Sequence, residues 1–214
     1  MTPTPASVPA PATATTSPTP ATPAGAASAA TAAAPAASAA GHEHHGSHGM
    51  PAITIPKGAI YTVADVEFMQ GMIGHHAQAI FMSRMAASHG ANPRLVRFAQ
   101  KIDQSQDSEI RLMQEWLRAN GQFAPDTSAG HTMQMTGMLT PEQMKRLDAS
   151  RGAEFDRQFL IMMIQHHEGA LTMVKDLLAT PRAAQDVDVN VFANEIESGQ
   201  SAEIQIMKQM LAEL

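Results

Sequence analysis

Two short stretches of the chain carry imidazoles and thioethers at spacings that let them converge. In the first, Met72 stands three and four residues ahead of His75 and His76; in the second, Met163 stands in the same relation to His166 and His167. Side chains three and four apart are neighbours on a helix, so each stretch aims one thioether and two imidazoles at a common volume. Met82 and Met173 extend the two sets further along the chain, and two other stretches add a carboxylate and a thioether each, Glu109 with Met113 and Glu203 with Met207. Imidazole serves many transition metals, whereas thioether is a poor ligand for zinc, iron(III), magnesium or calcium and a good one for copper(I). Cysteine is absent, which excludes thiolate metal sites, disulfides and thiol catalysis. The chemistry open to these residues is the binding of a copper ion, chiefly copper(I), with silver(I) taken at the same places.

The elements that must position them are an internal repeat. The segment from Asp65 through Phe68, Ile73 and the His75-His76 pair to Ala79 aligns without a gap on the segment from Asp156 through Phe159, Ile164 and the His166-His167 pair to Ala170, 91 positions later. Downstream, Gln106, Glu109, Ile110 and Met113 correspond to Gln200, Glu203, Ile204 and Met207, 94 positions later. The three-residue difference falls in a connection, where insertions are tolerated.

Apolar residues recur at intervals of three and four, as at Val66, Met69, Ile73, His76 and Ile80, which predicts helices near residues 63–89, 93–119, 141–179 and 186–212. Thr62 with Asp65, Asn92 before Pro93, and Thr140 with Gln143 read as N-terminal caps; His89-Gly90 and Asn120-Gly121 read as C-terminal ends. Short connections make antiparallel pairs, so the expected fold is all-α, a four-helix bundle of two repeated antiparallel hairpins. Repeat one spans about 63–120, a Met-rich linker 121–139, and repeat two about 140–214, the whole forming a bundle domain over 53–214. At about 100° per residue, Met69, Met72 and His76 fall mid-stripe on the first helix and His75 on its flank. Gln106, Glu109 and Met113 lie along the stripe of the second helix, where a carboxylate needs a partner because burying an unpaired charge is costly.

Residues 1–41 are almost wholly Ala, Pro, Thr and Ser, without a charged side chain or an aromatic, and are expected to be disordered. Residues 42–52 form a flexible His-rich tract in which His42, His44, His45 and His48 are accessory metal ligands, favouring copper(II). The linker brings a second accessory set, His131, Met133, Met135 and Met138, in a region expected to be polar. A net charge of -6 gives no basic stripe for nucleic acid. No apolar run approaches the ~18 residues of a membrane span. No basic segment followed by an apolar one marks an export signal in the chain as given.

A di-iron oxidase of the bundle type needs Glu-x-x-His motifs, and none occurs. There is also no nucleophile elbow, phosphate loop or His-Glu-x-x-His motif, so no catalytic constellation is found and the protein is not expected to be an enzyme. Two competing readings stand beside copper binding. One is a structural or adaptor bundle, since a single histidine on an apolar face is usually a core residue bonded to a neighbour, here Glu109 or Glu203, and methionine at helical spacing is usually packing. The other, ranked lowest, is a metal-dependent redox enzyme. Recurrence of the whole His-His set with its methionine favours metal.

The motif from Phe68 to His76, its copy from Phe159 to Ala170, the linker residues Met138 to Met144 and the run Gly152 to Asp156 resemble the two-repeat members of the domain of unknown function 305 family. The resemblance covers nearly everything from about residue 63 onward. It implies a ferritin-like fold, a periplasmic or other extracytoplasmic location, and a role in copper binding and copper resistance. The implied partners are metal ions and a copper-delivery or efflux protein, and a homo-oligomer is compatible with it.

Overall fold

Residues 51–127 and 135–214 are described by a computed structural model. The expectations for the tail 1–41, for His42, His44, His45 and His48, and for His131 and Met133 fall outside the described residues. Five helices follow in order: α1 (Val63–Ser88), α2 (Pro93–Ala119), α3 (Pro141–Ala149), α4 (Gly152–Ala179) and α5 (Val187–Ala212). The described residues form no strand. α1 packs on α2 and α4 on α5, and the two hairpins meet through α1 and α4. This is the expected all-α bundle with one additional short helix, α3, in the linker.

The helix ends are written locally. Thr62 and Asp65 form a capping box at α1, Asn92 caps α2 with Pro93 behind it, and Thr140 with Gln143 boxes α3. Each arrangement satisfies backbone donors that a helix start leaves open. α2 carries a clear apolar face, whereas α1 is buried around most of its circumference, because α2, α4 and the linker all cover it.

One boundary differs from expectation. A single helix over 141–179 is replaced by α3 and α4, broken at Ser150 and Arg151, both extended. Gly152 has φ +57, in the left-handed region that glycine reaches without a Cβ clash. Its N–H donates to the His89 carbonyl at 2.9 Å, so the α1–α2 corner holds the break in place.

The hairpins are keyed together by two repeat-equivalent carboxylates. Asp65, fully buried, caps α1 with one oxygen and with the other accepts from Ala184 N–H at 2.7 Å, in the α4–α5 connection. Asp156 accepts from Asn92 N–H at 3.0 Å, in the α1–α2 connection. Each repeat thus grips the other's turn, an approximate two-fold arrangement that sets α1 against α4. Two apolar clusters fill the ends of the bundle: Met69, Met72, Ile73, Met113 and Phe192 in one, Met82, Phe155, Phe159, Met163 and Met207 in the other. The paired histidines of α1 and α4 belong to neither.

Candidate metal centre

His75 and His76 on α1 and His166 and His167 on α4 have no solvent exposure. The sequence places His75 on the flank of its stripe; the structure buries that flank against α4. The rings of His75 and His166 meet there with centroids 3.8 Å apart, tilted by 39°. Like residues face each other because the repeats are related by an approximate two-fold axis, and this contact lies on it.

The outer pair is bonded across each hairpin. His76 Nε2–H donates to Glu109 Oε2 at 2.6 Å, and His167 Nε2–H donates to Glu203 Oε2 at 2.7 Å. The carboxylates lie less deep than their stripe positions imply: the side chains are 31% and 21% exposed, while their imidazoles are sealed. His75 Nε2–H donates to the Thr136 carbonyl of the linker at 3.2 Å. In all four rings Nδ1 is buried and has no hydrogen-bond partner, and in His166 neither nitrogen has one. A neutral imidazole that donates from Nε2 carries a lone pair on Nδ1, so in His75, His76 and His167 this atom is a buried acceptor with nothing to accept, and His166 holds one such lone pair on one of its two ring nitrogens. The side-chain amides of Gln106 and Gln200, which are repeat-equivalent, are likewise buried and unpartnered. Neither stands among the ligand candidates read from sequence, although the repeated Gln-x-x-Glu spacing marks both.

Burial, then the neighbouring His76, pushes the His75 imidazole down to about 3, partly offset by its bond to Thr136. Burial also holds His166 well below the ordinary histidine value, followed by repulsion from His75, His167 and His76. The His75 main chain approaches the His166 ring and offsets part of this without reaching hydrogen-bond geometry. Both rings are therefore neutral at physiological pH, which is the form that ligates metals.

The thioethers sit around this polar layer. Met72 and Met113 are fully buried in the cluster at one end, and Met163 and Met207 are their equivalents at the other. Met82 is also fully buried, whereas Met173 is half-buried. Of the linker candidates, Met138 is buried and Met135 half-buried. Among the described residues, no three His, Asp or Glu side chains gather closely enough to hold a metal ion by themselves.

The linker reaches this region because two glycines touch. A Cβ on Gly169 of α4 would lie 2.2 Å from the Thr136 carbonyl oxygen and 2.5 Å from Gly137 Cα, so the linker backbone lies directly on the helix. Gln78 fastens Leu139, two residues beyond Gly137, at both ends, donating to its carbonyl at 3.1 Å and accepting from its N–H at 2.7 Å.

Solved structures similar to this chain include a protein from Streptomyces coelicolor assigned as secreted (27% identity, TM-score 0.62, covering 70% of this chain and 93% of that one). A DUF305 fragment from Deinococcus radiodurans matches at 28% identity and TM-score 0.63, covering 72% and 99%. CopM in its Cu(I)-bound form matches at 28% identity and TM-score 0.56, covering 70% and 96%. CopM structures with Cu(II) and with silver match as well. No protein of curated function matches significantly. The sequence profile of the domain of unknown function 305 (DUF305) covers residues 65–211, and the chain belongs to that family.

Proposed function

We propose that the protein binds copper(I), and silver(I) by the same chemistry, in the layer of four histidines between α1 and α4, and that it buffers, transfers or detoxifies the metal in the cell envelope. The observation that carries this reading is the set of buried Nδ1 atoms without partners. Leaving a buried polar atom unsatisfied costs about 1–3 kcal/mol. A purely structural core would be expected to shed repeated penalties of that kind, whereas a ligand set needs its lone pairs free.

The roles divide between repeats in the same way. His76 and His167 would bind through Nδ1 while Glu109 and Glu203 hold Nε2–H, the orienting arrangement usual for metal-bound imidazole. The two carboxylates, ligand candidates from sequence, thereby become positioning groups. His75 and His166 would bind through the same ring atom at the axis. Met72 with Met113, and Met163 with Met207, would supply sulfur from either end, with Met82 and Met173 flanking. Because nitrogen and oxygen donors do not cluster in threes among the described residues, an ion held here draws on thioether, and that selects a soft metal. Similarity to CopM, whose structures hold copper and silver, supports the same choice.

Binding without catalysis is the activity proposed. An extracytoplasmic location is supported by the relative assigned as secreted; among the described residues, no helix is long and apolar enough to cross a membrane. His42, His44, His45 and His48 would form an accessory copper(II) tract, with His131, Met133 and Met138 as further accessory donors. Exchange with a delivery or efflux protein would follow from a buffering role.

Competition against a chelator of known affinity tests the metal choice. Copper(I) and silver(I) should bind at least about 100-fold more tightly than zinc(II), since thioether favours the soft ions. Equal or tighter zinc binding refutes the proposal.

A further inference from the structure

The approximate two-fold symmetry about the His75–His166 contact is broken at Gly71, and this break brings two methionines together. Met82 and Met173 are repeat equivalents, as are Gly71 and Met162. Met173 reaches the Gly71 position, and the repeat-equivalent pair is Met82 with Met162. Met82 and Met162 are both buried in one apolar cluster. On the opposite side, glycine leaves room where the other repeat has a thioether.

The linker fills that room with a thioether of its own. A Cβ on Gly71 would lie 3.1 Å from Met135 Sδ and 3.5 Å from Met173 Cε, so both side chains converge on one point above Gly71. Met135 is held there by the Gly137–Gly169 contact, by Gln165 Nε2–H donating to the Gly137 carbonyl at 3.2 Å, and by His75 donating to the adjacent Thr136 carbonyl. Unlike the sealed pair, Met135 and Met173 are both half-exposed. His75, in the buried histidine layer, lies one helical turn from Gly71.

We propose that Met135 and Met173 form a separate, solvent-accessible soft-metal site, which takes copper(I) or silver(I) from solution before the ion reaches His75 and His166. Methionine has three rotatable bonds and a polarisable sulfur, so two such side chains can turn onto one ion. Coordination forms two sulfur–metal bonds in exchange for the ion's solvent ligands, with no change of oxidation state. The inference rests on the copper-binding reading above, and it gives Met135 and Met173 a site of their own and a direction of uptake.

Silver(I) serves as the probe, titrated into the full chain carrying 13C-methyl methionine and followed by NMR. The Met135 and Met173 methyl signals should shift together, at the earliest additions. By equilibrium dialysis, the Met135→Leu, Met173→Leu double variant should lose one silver equivalent while Met144→Leu loses none. Leucine nearly conserves methionine's volume, so the double variant should fold, and a thermal melt checks this. If it does not fold, the methyl titration of the unaltered chain decides the matter. An unchanged silver count in the folded double variant, or methyl signals that move separately or not at all, overturns the inference while the histidine site stands. A chain that binds no silver at all refutes the proposed function and this site with it.

Discussion

Replacing His166 by leucine should make the metal-free protein more stable and the metal-binding protein worse. The His166 ring is sealed from solvent, and neither of its nitrogens has a partner. Each such orphan costs about 1–3 kcal/mol, and an apolar side chain of similar size removes both. Against this stands the lost ring contact with His75, worth about 0.5–1.5 kcal/mol. The net expectation near neutral pH is a gain of about 1–5 kcal/mol in unfolding free energy.

Acid should widen the difference. His75 is pushed down to about 3 and His166 well below its ordinary value, both chiefly by burial. In the unfolded chain both return to about 6.5. Below that value the unfolded state binds protons that the folded state refuses, so stability falls as pH drops from about 6.5 toward the folded values. The slope is about 1.4 kcal/mol per pH unit for each histidine, or about 2 kcal/mol each by pH 5. The variant has lost one of the two groups, so it should lose about 2 kcal/mol less than the parent on going from about pH 7.5 to pH 5. Urea unfolding followed by far-UV circular dichroism, with a copper chelator present at both pH values, measures all four quantities. A variant clearly less stable than the parent at neutral pH would make His166 a structural residue. An identical acid sensitivity in both proteins would show that His166 is not a buried neutral ring.

Two further substitutions probe the surroundings of the site. Gly169→Ala should gain about 1 kcal/mol from helix propensity alone, yet its Cβ would lie 2.2 Å from the Thr136 oxygen. Displacing the linker should therefore leave a net loss of about 1–3 kcal/mol in thermal unfolding; a raised Tm would mean the linker does not lie on α4. Glu109→Gln keeps an oxygen to accept from His76 on a side chain that is 31% exposed. Unfolding free energy should change by less than about 1 kcal/mol, while copper(I) affinity measured by chelator competition falls about 10–100-fold; lost stability with unchanged affinity would assign the pair to the core.

What the sequence discloses here is what is encoded locally. α1, α2 and α5 run within a residue or two of their expected bounds because Thr62 with Asp65, Asn92 with Pro93, and Asp186 all act on their own helix ends. The break between α3 and α4 falls at Ser150, Arg151 and Gly152, where the apolar stripe lapses between Leu147 and Phe155, and a lapse of that length does not by itself end a helix. It is held by a contact to the His89 carbonyl, 63 positions away in the chain. Asp65 reads as an ordinary cap, and half of its work, the bond to Ala184 N–H, is likewise invisible without the tertiary fold. His76 and His167 are correctly placed on their stripes with glutamate partners. The depth of His75 is not legible, because a stripe computed on α1 alone knows nothing of α4 covering the flank. Met135 is legible as a methionine in a polar region, but its destination depends on Gly71, Gly137 and Gly169, whose meaning lies in what approaches them.

Duplication supplies the reason that such a site forms at all. Each hairpin alone offers two imidazoles, one carboxylate and a few thioethers on a single seam. Pairing two copies about a two-fold axis brings equivalent residues together, so a histidine near the axis must meet its own counterpart, as His75 meets His166. Two neutral rings packed against each other and sealed from solvent are a poor core, carrying desolvated nitrogens that an apolar pair would not have. The same symmetry that produces this penalty would also double the proposed ligand set, and it places these residues between two apolar ends. The proposed uptake of metal would require the two faces to differ, because a sealed symmetric layer has no accessible side. Glycine at 71 in place of the methionine found at 162 would provide that difference, and the linker that joins the repeats places Met135 at that face.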